Sequence, residues 1–172
     1  MMREIKFRAK RIDNGEWAES ASVSKSEKLF GEVLWFIGAG QPAEQWVDDR
    51  GNLIAVSTTG ECLFYACDPK TLGQFTGLTD KNGKKIFEGD IVQYSIEEDQ
   101  AVFFGAVKFG EFNPDGGALL NTNIGFYVEL VDLEGKRTYM RKDIGYWVKF
   151  RGIEVIGNIH DNPEFLRGEE DG

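Results

Sequence analysis

Turn-forming sequences punctuate this chain so often that they leave room for little except short strands. Asn14-Gly15, Arg50-Gly51-Asn52, Asn82-Gly83, Pro114-Asp115-Gly116-Gly117 and Glu134-Gly135 recur along its 172 residues. Asn-Gly supplies the positive φ of a tight hairpin turn, because asparagine tolerates the left-handed region and glycine has no Cβ to clash. Between the turns lie segments rich in β-branched and aromatic residues. Ile5, Phe7 and Ala9 alternate with Lys6, Arg8 and Lys10, the period of a half-buried strand with a basic outer face. Ile91 to Tyr94, Val102 to Phe109, Phe126 to Leu133 and Ile153 to Ile159 read as further strands, with Glu129 expected at solvent or at a sheet edge. Runs of this kind at short, regular spacing predict a small barrel or sandwich rather than βαβ units. The expected class is therefore mainly β, with a β-rich α+β fold as the alternative.

Two places carry helix signals. Ser24-x-x-Glu27 matches a capping box, and Leu29, Phe30, Val33, Leu34 and Ile37 follow at helical spacing. Gly31 and the β-prone Trp35-Phe36-Ile37 argue as strongly for a strand pair, and both readings stand. Asn162-Pro163-Glu164 reads as a cap, a first-position proline and an acidic first turn, which starts a short helix carrying Phe165 and Leu166.

Charge and cysteine content narrow the functions. Lys+Arg number 20 against 29 Asp+Glu, a net charge of −9. That excludes a surface that grips nucleic acid as a whole, though not a local basic patch. No apolar run approaches the ~18 residues of a membrane span, so neither a membrane helix nor a signal peptide is expected. Two cysteines form no disulfide framework, which fits a reducing, cytoplasmic setting.

The motifs with chemical connotations each have a simpler structural account. Gly38-x-Gly40-x-x-Ala43 lacks the long helix and second βαβ unit of a dinucleotide site, so a glycine-rich loop is expected. Asp80-Lys81-Asn82-Gly83 and Asp48-Asp49-Arg50-Gly51 have glycine in the fourth position, where a calcium loop needs it sixth, and hairpin turns are expected. Cys62 and Cys67 lack a second ligand pair for zinc and an electropositive setting for a thiolate, so buried, inert thiols are expected. His160 is next to Asp161 but near no nucleophile in sequence. Glu88-Gly89-Asp90 reads as a bend into a strand rather than as an acid/base pair. No catalytic, cofactor-binding or metal-ligating residue is therefore expected. Basic residues cluster at Arg3, Lys6, Arg8, Lys10 and Arg11. A second cluster, Lys136, Arg137, Arg141 and Lys142 with Tyr139, Tyr146 and Trp147 interleaved, falls on an expected return strand and the loop beyond it. Lys136, Arg137, Tyr139, Arg141, Lys142 and Trp147 are the candidate face for a partner or for nucleic acid. Because neighbouring strand residues alternate faces, the charges divide between two sides and binding to nucleic acid is expected to be weak.

Three blocks go beyond pattern: Arg3-Glu4-Ile5-Lys6-Phe7-Arg8-Ala9, the stretch from Gly73-Gln74-Phe75-Thr76-Gly77-Leu78-Thr79-Asp80 through Glu88-Gly89-Asp90-Ile91-Val92, and Ile153-Glu154-Val155-Ile156-Gly157-Asn158-Ile159-His160-Asp161-Asn162-Pro163-Glu164-Phe165-Leu166. They resemble the signature blocks of the YopX family, small proteins encoded by phages and prophages, over roughly residues 2–166. The resemblance implies a β-rich fold with a small SH3-like barrel in residues 73–166. Before it stands an N-terminal β-rich part, 1–72, with a variable segment at 20–60, and after it an acidic tail, 167–172. It implies no established activity and brings no site residues. The function expected is that of a phage or prophage accessory protein, a non-enzymatic module that binds a host or phage protein in the cytoplasm, without a cofactor and away from membranes. Homo-oligomerisation is left open, and a nucleic-acid-binding module is the alternative. The purified chain is expected to contain no zinc, and Cys62→Ser and Cys67→Ser to leave metal content at zero. Stoichiometric zinc lost in both variants would overturn this.

Overall fold

Hairpins dominate the structure, as the turn chemistry dictates. The computed structural model describes residues 4–25, 35–38, 44–47, 53–57, 62–96, 101–114, 122–131 and 137–166. These form three antiparallel sheets, one short α-helix and two 3₁₀ turns, a mainly β fold. The chain divides into two compact units, Met1–Phe75 and Thr76–Gly172.

In the first unit, β1 (Phe7–Lys10) and β2 (Trp17–Ser20) make a hairpin about Asn14-Gly15, with Gly15 at φ 74°. The alternation is as expected: Ala9 is buried, while Arg8 and Lys10 lie over the Trp17 ring, 4.7 and 5.5 Å from its centroid. Ile5 is exposed, because the strand begins only at Phe7. A second sheet contains β3 (Val23–Lys25), β4 (Trp35–Gly38), β5 (Glu44–Val47), β6 (Leu53–Ser57) and β7 (Cys62–Cys67), in the order β3-β4-β7-β6-β5. Ser24 is thus on a strand opposite Phe36, which selects the strand pair over the capped helix; Leu29, Phe30, Val33 and Leu34 lie outside the described residues. Burial decides this, since Ile37 packs with Ala9 and Cys67 in the core of the unit. A 3₁₀ turn, Pro69–Thr71, follows, with Asp68 accepting the Lys70 N–H at 2.9 Å. Residues Gly73 and Gln74 of β8 (Gly73–Thr79) then pair with β1.

In the second unit, the rest of β8 and β9 (Lys85–Phe87) flank the Asn82-Gly83 turn, where Gly83 has φ 82°. β10 (Asp90–Ile96), β11 (Ala101–Phe112), β12 (Asn123–Val131), β13 (Arg137–Asp143) and β14 (Glu154–Asn158) form a five-stranded sheet in the order β13-β12-β11-β10-β14. Among the described residues no pairing closes it into a barrel. The short helix α1 (Ile144–Arg151) lies between β13 and β14 in the chain. Its Ile144 and Trp147 join Val92, Tyr94, Val107 and Val128 in the core. The sheet is tight where β11 meets β12. A Cβ on Gly105 would stand 2.6 Å from Val128 Cγ1 and 2.9 Å from the Glu129 carbonyl oxygen, so no larger residue fits there without movement.

Two family blocks meet at one buried carboxylate. Asp80 accepts the N–H groups of Asn82 (2.8 Å) and Lys84 (2.9 Å) with Oδ1, and that of Val155 on β14 (3.0 Å) with Oδ2. The Lys81 N–H donates to the Ile153 carbonyl (3.1 Å), and Lys84 Nζ to that of Val155 (3.3 Å). The hairpin turn therefore covers the edge of β14 and ties it down. The other bends are structural in the same way. The Asp90 carboxylate accepts the Phe87 N–H at 2.7 Å across the Gly89 turn, where φ is 82°. At Ile91/Val92 the pairing with β14 shifts register, and a Cβ on Gly157 would fall on the Asn162 amide, the close approach that makes glycine necessary.

Burial raises the Asp80 carboxyl, but the three backbone donors, Val155 foremost, outweigh it and hold it below the ordinary carboxylate value. A depressed folded value contributes stability above the unfolded value of about 4, which is lost as the pH falls through the folded value. Asp80→Asn is expected to cost about 1–3 kcal/mol at neutral pH. It should also flatten the acid limb of a stability–pH profile measured by urea unfolding; an unchanged acid limb would contradict the assignment.

Candidate interaction face

The candidate residues are organised by the junction of β13 with α1. Propensity alone does not favour a helix at Tyr146-Trp147-Val148, and the sequence reads here as a strand and loop. Three features override that. Asp143 accepts the Tyr146 N–H at 2.9 Å as an N-cap, Gly152 ends the helix at φ 58°, and Ile144 and Trp147, three residues apart, reach the core together. Asp143 before and Gly152 after the segment were the available signals.

The helix redistributes the predicted face. Trp147 is 0 % exposed, stacks against Tyr94 with ring centroids 5.0 Å apart and belongs to the core, so it is removed from any docking surface. Its indole N–H has no hydrogen-bond partner among the described residues. β13 runs on through Met140 to Asp143. Arg137 and Tyr139 are on this strand, with their side chains outside the described part, and Lys136 lies outside the described residues. Arg141 is opposite Glu129 and Lys142 opposite Val128, so these two cations point to different faces of the sheet.

Arg141 is also neutralised. Glu129, expected at solvent or an edge, is instead buried on the inner strand β12, its side chain 7 % exposed. The correction has a simple cause: Arg141 Nη2 on one neighbouring strand reaches Glu129 Oε1 at 2.8 Å, and Lys108 Nζ on the other reaches Oε2. Two cations enclose one carboxylate, which is what permits its burial.

The exposed aromatic of the region is one that sequence reasoning did not single out. Phe150 on α1 is 62 % exposed, with Tyr146 tilted against it at 5.4 Å and Lys149 Nζ 5.2 Å from its centroid. Burial raises the Tyr94 phenol, and the charge of Arg151 partly offsets this.

Elsewhere the chemically suggestive residues have structural roles. Asn158 Oδ1 accepts the N–H groups of His160 (2.9 Å) and Asp161 (3.0 Å), and its Nδ2 donates to Asp161 Oδ2 (2.7 Å), so His160 belongs to a side-chain-stabilised turn. The 3₁₀ turn Pro163–Leu166 after it matches the short helix expected there. Cys67 is a buried free thiol, pushed up to about 11 by desolvation and, secondarily, by Asp68. The Cys62 side chain, Gly40 to Ala43 and Asp48 to Gly51 lie outside the described part. Among the described residues no helix is long and apolar enough to cross a membrane. Glu129→Gln is expected to lower stability by about 1–3 kcal/mol in urea unfolding, because it leaves Lys108 and Arg141 facing a neutral amide. An unchanged midpoint would show that the charge cluster contributes nothing.

No curated protein matches the chain. Among solved structures, protein EF1440 from Enterococcus faecalis is similar, at 23% identity and a TM-score of 0.44, over 95% of this chain and 98% of that one. The YopX protein family matches residues 6–167, which take in the second and third blocks and Lys6 to Ala9 of the first, and the chain belongs to that family.

Proposed function

We propose that this protein is a non-enzymatic interaction module of phage or prophage origin that binds a host or phage protein in the cytoplasm of the host cell. The observation that carries the reading is Phe150, a large aromatic side chain left 62 % exposed on the same helix whose Trp147 is fully buried. Aromatic residues, phenylalanine among them, are enriched in the core of protein-binding patches, and this supports the reading. The connectivity of the second unit supports the SH3-like reading of residues 73–166. Numbered from β10, its strands lie in the order 5-1-2-3-4, with α1 inserted before the fifth. Small barrels of this type commonly bind peptides through aromatic grooves and strand edges. The turns built by Asp80, Asp90 and Asn158 support a scaffold role for the family blocks, since each polar group there is engaged with backbone.

The test is affinity capture of the tagged chain from host cells, beside a Phe150→Ser variant of unchanged melting temperature. A protein recovered in stoichiometric amount with the wild type and lost with the variant is the expected result. Nuclease-sensitive recovery, together with retention on single-stranded nucleic acid that falls steeply with salt, would replace this reading with the nucleic-acid alternative.

A further inference from the structure

β11 and β12 outrun the strands beside them. β10 pairs with β11 only as far as Ala106, and β13 with β12 only from Tyr127 on. Asn123 to Phe126 therefore pair with Phe109 to Phe112 and with no other described strand. The face that covers the core at Val107, Phe126 and Val128 continues along this two-stranded ribbon to Phe109 and Ile124. Phe109 meets Phe126 edge-on at 5.0 Å yet is 53 % exposed. Ile124, at 73 %, is the most exposed large apolar side chain among the described residues.

Two features set the outer edge of this segment apart. The strands that end the three sheets each carry charge, at Glu19, Lys25, Glu44, Lys85, Arg141 and Glu154, and charge is how sheet edges are kept from pairing. Asn123-Ile124-Gly125-Phe126 carries none. The second feature is Gly125. Its φ is not positive, and among the described residues a Cβ there would meet nothing within 4 Å, unlike one on Gly105 or Gly157. Packing within the described chain thus gives no reason for a glycine, whereas glycine inside a strand commonly marks the close approach of another backbone.

We infer that a second copy of this chain pairs with this edge, in an antiparallel two-fold ladder centred on Ile124. Asn123 then lies opposite the partner's Gly125, where its side chain takes the open space over the glycine. On the other face Phe109, Ile124, the partner's Ile124 and the partner's Phe109 form one apolar row. Isologous pairing requires a strand to tolerate its own copy, and here no charge meets a like charge. The nearest, Glu111, is opposite Ile124 on β11, so the two copies of it stand three strand spacings apart. That is about 14 Å, beyond the Debye length at physiological salt. The edge of β13, paired with itself in the same way, would bring Arg141 and Lys142 among their own copies. The contact does not involve α1, so it stands or falls apart from the reading of Phe150.

Sedimentation velocity of the full-length chain over a range of concentrations tests this. The contact is small, so a weak, concentration-dependent dimer is expected. Salt should strengthen it by screening the net charge of −9 on each copy, where a charge-driven contact would weaken. Ile124→Lys changes an exposed side chain and should weaken self-association about tenfold or more, with the melting temperature of the dilute protein unchanged. Ile124→Cys sets two thiols face to face on the two-fold axis and should oxidise to a covalent dimer, unlike the wild type treated in the same way. A wild type that stays monomeric at high concentration and high salt would overturn the inference. So would a dimer that Ile124→Lys leaves intact, or one that Ile124→Cys fails to cross-link.

Discussion

The carboxylate of Asp80 joins two stretches of chain that are far apart in sequence and that the rest of the second unit is built around. Its three backbone donors come from its own hairpin turn and from Val155 on the last strand of the sheet. A buried carboxylate needs such donors to remain charged, and an edge strand needs something to occupy its outward-facing amides. One side chain meets both requirements. Lys81 and Lys84 add bonds to the Ile153 and Val155 carbonyls, so the β14 edge is closed to other strands by its own protein.

With β14 tied to the hairpin on one side and paired with β10 on the other, the connection from β13 has to cross the end of the sheet within a few residues. α1 makes that crossing. It is short, capped by Asp143, and ended by the left-handed Gly152 just before buried Ile153. Trp147 faces the core during the crossing, while Phe150, almost one turn further toward the C-terminal end, is left 62 % exposed.

Much of the fold was legible because the turn residues are specific. Asn14-Gly15 and Asn82-Gly83 mark hairpins, and the alternation through Phe7 and Ala9 marks a strand. Two things were not legible. The helix at Ile144–Arg151 depends on the burial of Trp147, a tertiary effect that outweighs the β preference of Tyr146, Trp147 and Val148. The position of Glu129 depends on which strands flank β12, and single-strand alternation carries no information about neighbours. Of the residues expected on the candidate face, Trp147 is buried in the core and Arg141 is paired with Glu129.

The central claim is that the Asp80 clamp holds β14 in place, and amide hydrogen exchange of Val155 measures it most directly. In the wild type this amide should exchange as slowly as the amides of β11 and β12, through global unfolding. In Asp80→Ala at the same pH it should exchange by local opening, much faster than β11 and β12, which keep their relative protection. A Val155 amide that stays as protected as those of β11 and β12 in the variant would contradict the account.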